Sequence, residues 1–552
     1  MRIIDSGFKL EKSKTDVLII GSGGAALRAA VESARSGMQV VVVCRSPLGK
    51  GGLTPTGNGG YHGAVWPGDS PAIHAEDLVT MGCRLNDRNL VQALTEESVS
   101  EARQLEELGA KVNWDIPPRP AEPQMRFPRS LFIPGREILS ALGKHLKKQS
   151  NVVFLEDHLA IRLMGANNEV TGAALLNIKE GSVVVYESKV TVLATGSLGE
   201  VYPLTGQEPM GIPTGSTGSG YVLAGWAGAE MVDMEMVQFV IMPVAPPLVR
   251  GMRFIRGGTV LNREGESFLS PEFGAYSHEA AQAVYREIHE GRGPICIVQQ
   301  GQKSSGPKRH PLLGLRIKNL QRFEATPSQR PVEVSIGMLF MMGGVHINAQ
   351  CETNVKGLYA AGEVTGNVHG ARRVSGNAFP EIIVFGARAG KHAAQAAQKV
   401  KFTRKAPKVE IERVLDYLTN LVRGGKESIS PGEVRQKVKS IMGQHAYVMR
   451  SGDGLRAALE ELSGLAKDLH LVRIEPAGGL AWNPRIIEGI DARWLLEVSQ
   501  VICHAALLRE ESRGFHFRED FPLEDEEWLK HTMVRFSGSK MNEWSCGTKP
   551  IA

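Results

Sequence analysis

Residues 16–46 read DVLIIGSGGAALRAAVESARSGMQVVVVCRS: an apolar run, a glycine turn, an alternating helical stretch, and a second apolar run ending in Cys44-Arg45. The pattern predicts a strand, a tight turn, a helix and a parallel strand. Gly21, Ser22, Gly23, Gly24, Ala25 and Ala26 fit G-x-G-x-x-A. In that arrangement the first glycine permits the turn and the second admits a pyrophosphate close to the backbone. The small sixth residue lets the helix pack on the strand. A dinucleotide site follows. The acid that usually ends the second strand and binds a ribose hydroxyl is replaced by Arg45, which on its own favours a 2′-phosphate.

Two later turns decide against that reading. VTVLATGS (190–197), with Ala194, Thr195 and Gly196, and GLYAAGEV (357–364), with Gly362 and Glu363, are strand-to-glycine turns that return the chain to the nucleotide half of a flavin site. Together they imply FAD, with Glu363 accepting from a ribose or ribityl hydroxyl. Arg373-Val-Ser-Gly376-Asn377-Ala378-Phe379-Pro then precedes a helix over 381–390. Its positive N-terminal end is suited to a reduced, anionic isoalloxazine.

The rest of the chain bounds the answer. Its 552 residues, 42% hydrophobic, can bury two or three cores. The formal charge of +5 is dispersed, which argues against nucleic acid as a partner. The six cysteines form no close pair for zinc or an iron–sulfur cluster. Prolines 243, 246 and 247 interrupt the longest apolar stretch, 236–249, and the N-terminus has no apolar leader core. The expectation is therefore a cytoplasmic chain without direct membrane insertion, peripheral to a membrane only through a partner. Helix is expected over 87–109, a pattern rich in glycine and irregular structure over 206–337, and amphipathic helix over 409–536.

GSGGAALRAA (21–30), GREIL (135–139), LATGSLGEVY (193–202), DMEMVQF (233–239), FMMGGV (340–345), VHGARRVSGNA (368–378), VFGARAG (384–390) and ESRGFHFREDFP (511–522) resemble the succinate dehydrogenase / fumarate reductase / L-aspartate oxidase flavoproteins. The resemblance implies an α/β FAD-binding Rossmann-like fold over 14–235 and 340–400. An inserted α+β capping domain over 236–339 and a C-terminal helical domain over 405–540 complete the expected organisation. It also places Thr54, Gly59 and Gly60 beside the cofactor, and it implies two-electron hydride exchange between flavin N5 and a small anionic substrate in a cleft under the capping domain.

The family pattern breaks at particular residues. The histidine that tethers FAD in many members is Leu53 here, so the cofactor is expected to be non-covalent, and His62 reads as an ordinary loop residue. Of the family's dicarboxylate ligands, the two histidines map to Val240 and Leu339, the Thr-Glu pair to about Arg250-Gly251, and the proton-donating arginine to Ser277 or His278. Arg373 survives. Arg250, Arg253, Arg256 and Arg372 could grip an anion instead, or pair with Asp233, Glu235 and Glu264. His278 is the one imidazole near the former proton donor. The charged run from Arg509 to Asp520 is expected to be an ion-pair network seating the helical domain on the FAD domain. Without an iron–sulfur motif, electrons would come from a separate iron–sulfur subunit or a soluble donor, or leave to oxygen. The alternatives are an electron-relay subunit, and a genuine fumarate reductase or aspartate oxidase with a divergent site.

Overall fold

The computed structural model describes residues 2–3, 8–57, 59–116, 120, 122, 124–207, 215–244, 258–270, 273, 277–299, 331–401, 404–422, 429–469, 474, 479–536 and 544–551. Contacts divide the chain into two compact units. The larger comprises 1–203, 214–238 and 340–552, and the smaller comprises 204–213 and 239–339.

The larger unit is built on a mixed eight-stranded sheet. Its members are β1 (Arg2–Ile3), β2 (Lys9–Ile20), β3 (Val40–Val43), β6 (Val152–Leu155), β7 (His158–Ala166), β8 (Glu169–Asn177), β9 (Ser182–Leu193) and β16 (Leu358–Ala360). The order runs β6-β3-β2-β9-β8-β7, with β1 on β2 and β16 on β9. β3 is four buried valines, the continuous apolar run that a strand covered on both faces requires. β2, β3, β6, β9 and β16 are mutually parallel where they pair, while β7, β8 and β9 form an antiparallel extension.

Helix α1 (Gly24–Arg35) crosses α7 (Ala378–Lys399) through small residues. A Cβ on Gly386 would stand 2.7 Å from Ala25 O, and one on Gly390 would stand 2.2 Å from Ala29 O. α2 (Pro71–Met81), α3 (Arg88–Glu107) and α4 (Gly135–Leu146) follow the first βαβ turn, together with a short ribbon of β4 (Gly60–His62) on β5 (Ser130–Phe132). The helix expected over 87–109 is α3, capped by Asp87, whose carboxylate accepts from the Asn89 and Leu90 amides.

The C-terminal part holds α8 (Lys408–Val422), α9 (Pro431–His445), α10 (Gly452–Asp468) and α11 (Pro484–Leu508). Helix does not continue to 536 as the sequence suggested. Lys530–Phe536 is strand β17, with β18 (Trp544–Pro550) beside it. β17 pairs with β10 (Met231–Val232), which also pairs with β15 (Gly344–Val345), so the tail completes a sheet begun three hundred residues earlier.

The smaller unit is α+β. β11 (Val237–Pro243), β14 (Val332–Met341), β13 (Ile295–Gln299) and β12 (Gly258–Leu261) form its sheet, in that order. α6 (His278–His289) buries Ala280, Ala281 and Val284. No described helix of the chain is long and apolar enough to cross a membrane.

Candidate functional site

Strand register brings the three glycine turns together. Ile20 lies beside Leu193, and Leu193 beside Ala360. The chain therefore leaves β2, β9 and β16 at one edge of the sheet, the carboxyl end where parallel sheets bind ligands. Gly21 has φ +125° and lies against Ala194, where any Cβ would be 2.2 Å from the carbonyl oxygen. A Cβ on Gly23 would meet only Thr54 Oγ1, at 3.5 Å, and one on Gly196 (φ +81°) would meet nothing within 4 Å. The amide of Gly24 donates to Thr54 Oγ1 at 3.1 Å. Ala25 and Ala26 are buried in the α1 interface.

Several polar atoms here lack partners among the described residues. Asn377 caps α7 and is fully buried, yet neither of its side-chain polar atoms is hydrogen-bonded; the buried Thr195 Oγ1 is likewise unpaired. Buried amides are nearly always satisfied, so this open, orphaned cradle fits a dinucleotide. Glu363, 8% exposed, accepts from Ser197 Oγ at 2.6 Å and from the Met341 amide at 3.0 Å. Burial pushes its carboxyl up to about 7 in spite of those donors. Gly362 (φ +79°) packs on Ala25, and Gly60 approaches the Cα of Gly376 (φ +98°). Gly59 (φ +93°) packs on Phe132, and Phe379 fills the space over Gly57 and Gly135. Ser22 and Ala378 flank the first turn and open α7.

Arg45 is engaged differently from its sequence reading. Its guanidinium forms a bidentate pair with Asp491 of α11, one bond at 2.9 Å, so the cation at the end of β3 is neutralised by the C-terminal helices. Arg372 is also spoken for: Glu122 accepts from it at 2.7 Å and from the Ser375 amide at 2.8 Å. Asp233 and Glu235 pair with Arg509. Arg250, Arg253 and Arg256 lie outside the described residues.

Arg373 is 6% exposed. Its Nε donates to Gln238 Oε1 at 3.1 Å and its Nη1 to Val374 O at 3.3 Å, while the Gln238 amide donates back to Arg373 O at 3.2 Å. Its Cζ stands 4.4 Å from the centroid of Phe340. His62 is no loop residue: it is fully buried in β4, with Nε2 3.0 Å from Ser130 Oγ and its amide donating to Gly376 O at 3.1 Å. Burial, with Arg129 and Arg373 nearby, holds its imidazole down at about 3, and thus neutral. Sequence reading passed over Gln238, Phe340 and His62. Gln238 and Phe340 stood inside quoted motifs, but only their contacts show what they hold.

In the smaller unit, Val240 is buried, and Ser277 uses its hydroxyl to cap α6, accepting from the Ala280 amide. His278 opens that helix with Nδ1 3.4 Å from a Glu279 carboxylate oxygen.

A family model described as an FAD binding domain matches residues 16–379, and one described as the fumarate reductase flavoprotein C-terminus matches residues 435–551. A fumarate reductase (CoM/CoB) subunit of Methanothermobacter marburgensis is 33% identical, covering 95% of this chain and 97% of its own. This chain belongs to the succinate dehydrogenase/fumarate reductase flavoprotein family. The flavoprotein is equally similar, at 33% over 96% of its length and 97% of the relative's, to an uncharacterized FAD-dependent oxidoreductase of Methanocaldococcus jannaschii. The FrdA chain of E. coli quinol fumarate reductase superposes with a TM-score of 0.88, over 98% of this chain and 97% of that one. At 22% identity that match speaks to the fold: an FAD-binding domain, a capping domain and a C-terminal domain. The flavoprotein is an FAD-dependent oxidoreductase.

Proposed function

We propose that this flavoprotein exchanges two electrons with a small anionic organic substrate oriented by Arg373, at a site from which most of the family's dicarboxylate ligands have gone. Bound FAD supplies hydride exchange at its N5. The protein supplies the cradle of Gly21 to Ala26, Thr54, Thr195, Gly196, Glu363, Gly376 and Asn377, and an arginine held for bidentate recognition. Leu53 leaves no imidazole for a covalent tether, so the FAD is held without one.

The observation that carries the reading is Arg373, buried and oriented by Gln238 and Phe340, set against aliphatic Val240 and Leu339 where the resemblance places histidines. An aliphatic side chain can neither fix a carboxylate nor move a proton. The mapped proton-donor position is Ser277, committed to a helix cap, or His278, beside Glu279, and neither is an arginine. The Methanothermobacter marburgensis relative is one component of a multi-chain reductase by its name, which supports a separate partner chain, an iron–sulfur protein by the family resemblance, as electron donor or acceptor. It also favours a second reading, an electron relay between proteins. Under that reading the isolated chain reduces no small organic acceptor.

The test is reoxidation of the dithionite-reduced holoprotein. General acid catalysis contributes about 10²–10⁴-fold, so fumarate is expected to reoxidise the flavin very slowly, and whatever it does should vanish in Arg373→Ala. Rapid, fumarate-dependent reoxidation overturns the reading and restores dicarboxylate chemistry.

A further inference from the structure

Four buried side chains of the larger unit stand in a column that ends at Arg373. Glu381, in the first turn of α7, accepts from His369 Nε2 at 3.1 Å. The His369 ring meets Phe340 edge-on, with centroids 5.4 Å apart and planes at 76°. Phe340 in turn lies against the Arg373 guanidinium at 4.4 Å. Relative exposures are 1% for Glu381, 4% for His369, 5% for Phe340 and 6% for Arg373.

We propose that Phe340, braced by His369 and Glu381, is a positioning residue: it fixes the plane of the Arg373 guanidinium and thereby the orientation of the anion that Arg373 receives. The proposal rests on the anion-binding reading of Arg373. A guanidinium is planar and presents its donors in that plane. Gln238 at Nε and Val374 O at Nη1 hold two points along the edge, and neither of these contacts lies over the face of the group. The Phe340 ring, with its centroid 4.4 Å from Cζ, packs against the group as well and resists tilt about that edge through its π-quadrupole and its bulk. The ring needs a support of its own. The edge-on contact of His369 supplies one, and the Glu381 carboxylate, an acceptor, keeps the proton on His369 Nε2 and holds the ring direction. Glu381 is four residues from the N-cap Asn377, so the column braces the anion-orienting arginine against the same helical turn that faces the cofactor cradle.

The experiment compares flavin-loaded wild type with Phe340→Leu, Phe340→Tyr and Arg373→Lys. Crystal structures give the guanidinium position, and titration with malonate, followed by the flavin absorption difference, gives anion affinity. Phe340→Tyr should keep both. Phe340→Leu should load flavin normally, weaken malonate about tenfold, and let the Arg373 guanidinium plane turn about its Gln238 and Val374 contacts. A Phe340→Leu protein with the Arg373 guanidinium plane unturned and wild-type malonate affinity overturns the proposal. Unchanged malonate affinity in Arg373→Lys removes the anion-binding reading instead; the guanidinium position in Phe340→Leu then still decides the positioning claim, displacement supporting it and an unmoved group ending it. If Phe340→Leu fails to fold, His369→Leu carries the test, with malonate affinity reduced about threefold and the Phe340 ring turned. An unturned ring with unchanged affinity counts against the column.

Discussion

Glu363 shows how one buried group makes stability depend on pH. Burial raises its carboxyl from 4.5 to about 7. Between those values the folded, flavin-free chain keeps a proton that the unfolded chain has released, so stability falls as pH rises through that window, and the loss is complete above about 7. A shift of this size corresponds to about 3 kcal/mol. Glu363→Gln keeps a hydrogen-bonding side chain but cannot ionise. Urea midpoints of the flavin-stripped protein should therefore decline from pH 5 to pH 8 more steeply in wild type than in Glu363→Gln. Parallel pH profiles for the two would show that the group titrates normally.

At the scale of elements, the crossing of α1 and α7 depends on residues too small to separate the helices. Gly390 sits where a Cβ would be 2.2 Å from Ala29 O, and backbone cannot yield as a flexible side-chain tip can. Gly390→Val should force the helices apart at a cost of about 3 kcal/mol or more, and should lower flavin content, because α1 begins at the pyrophosphate turn and α7 at Asn377. A variant with wild-type thermal midpoint and full flavin content would contradict this account of the crossing. The same elements show what the sequence made legible. Local signals marked the first βαβ unit, the limits of α3 and the three glycine turns, because each is specified by neighbours in the chain. The pattern of KHTMVRF suggests helix, yet it becomes strand β17 by pairing along its length with β18 and at Met533 and Val534 with β10. The engagement of Arg45 by Asp491 and of Arg372 by Glu122 was equally hidden. Each joins residues hundreds of positions apart, and no spacing rule reaches that far.

Across the larger unit as a whole, the charged run after α11 acts as a buried connection between the C-terminal part and the sheet-bearing part. Arg509 is fully buried and pairs with Glu235 at 2.6 Å, Glu511 at 2.7 Å and Asp233 at 3.4 Å; it also donates to Trp528 O and Lys530 O. Arg513 binds Glu511 through two bonds of 2.8 Å, and Thr532 donates to Glu235 at 2.7 Å. Arg450 reaches the Glu235 carbonyl at 2.8 Å. Desolvating so many charges is costly, and intact buried networks are often no more stable than apolar replacements. Removing one partner is a different matter, because the remaining charges stay buried. Arg509→Leu strands Asp233 and Glu235, whose carboxyl is already held above its usual range by burial. The expected loss is about 3–5 kcal/mol. The double variant Arg509→Leu/Glu235→Leu should recover part of it, since one stranded carboxylate is gone, although Asp233 is then left with His531 and the Thr532 amide and hydroxyl among the described residues. Urea unfolding of wild type, the two single variants and the double variant forms a cycle that isolates the coupling. If the losses of the single variants simply add in the double variant, Arg509 and Glu235 are not a coupled pair, and the connection rests on the other bonds of the run, such as that of Arg450 to the Glu235 carbonyl, and on apolar contacts.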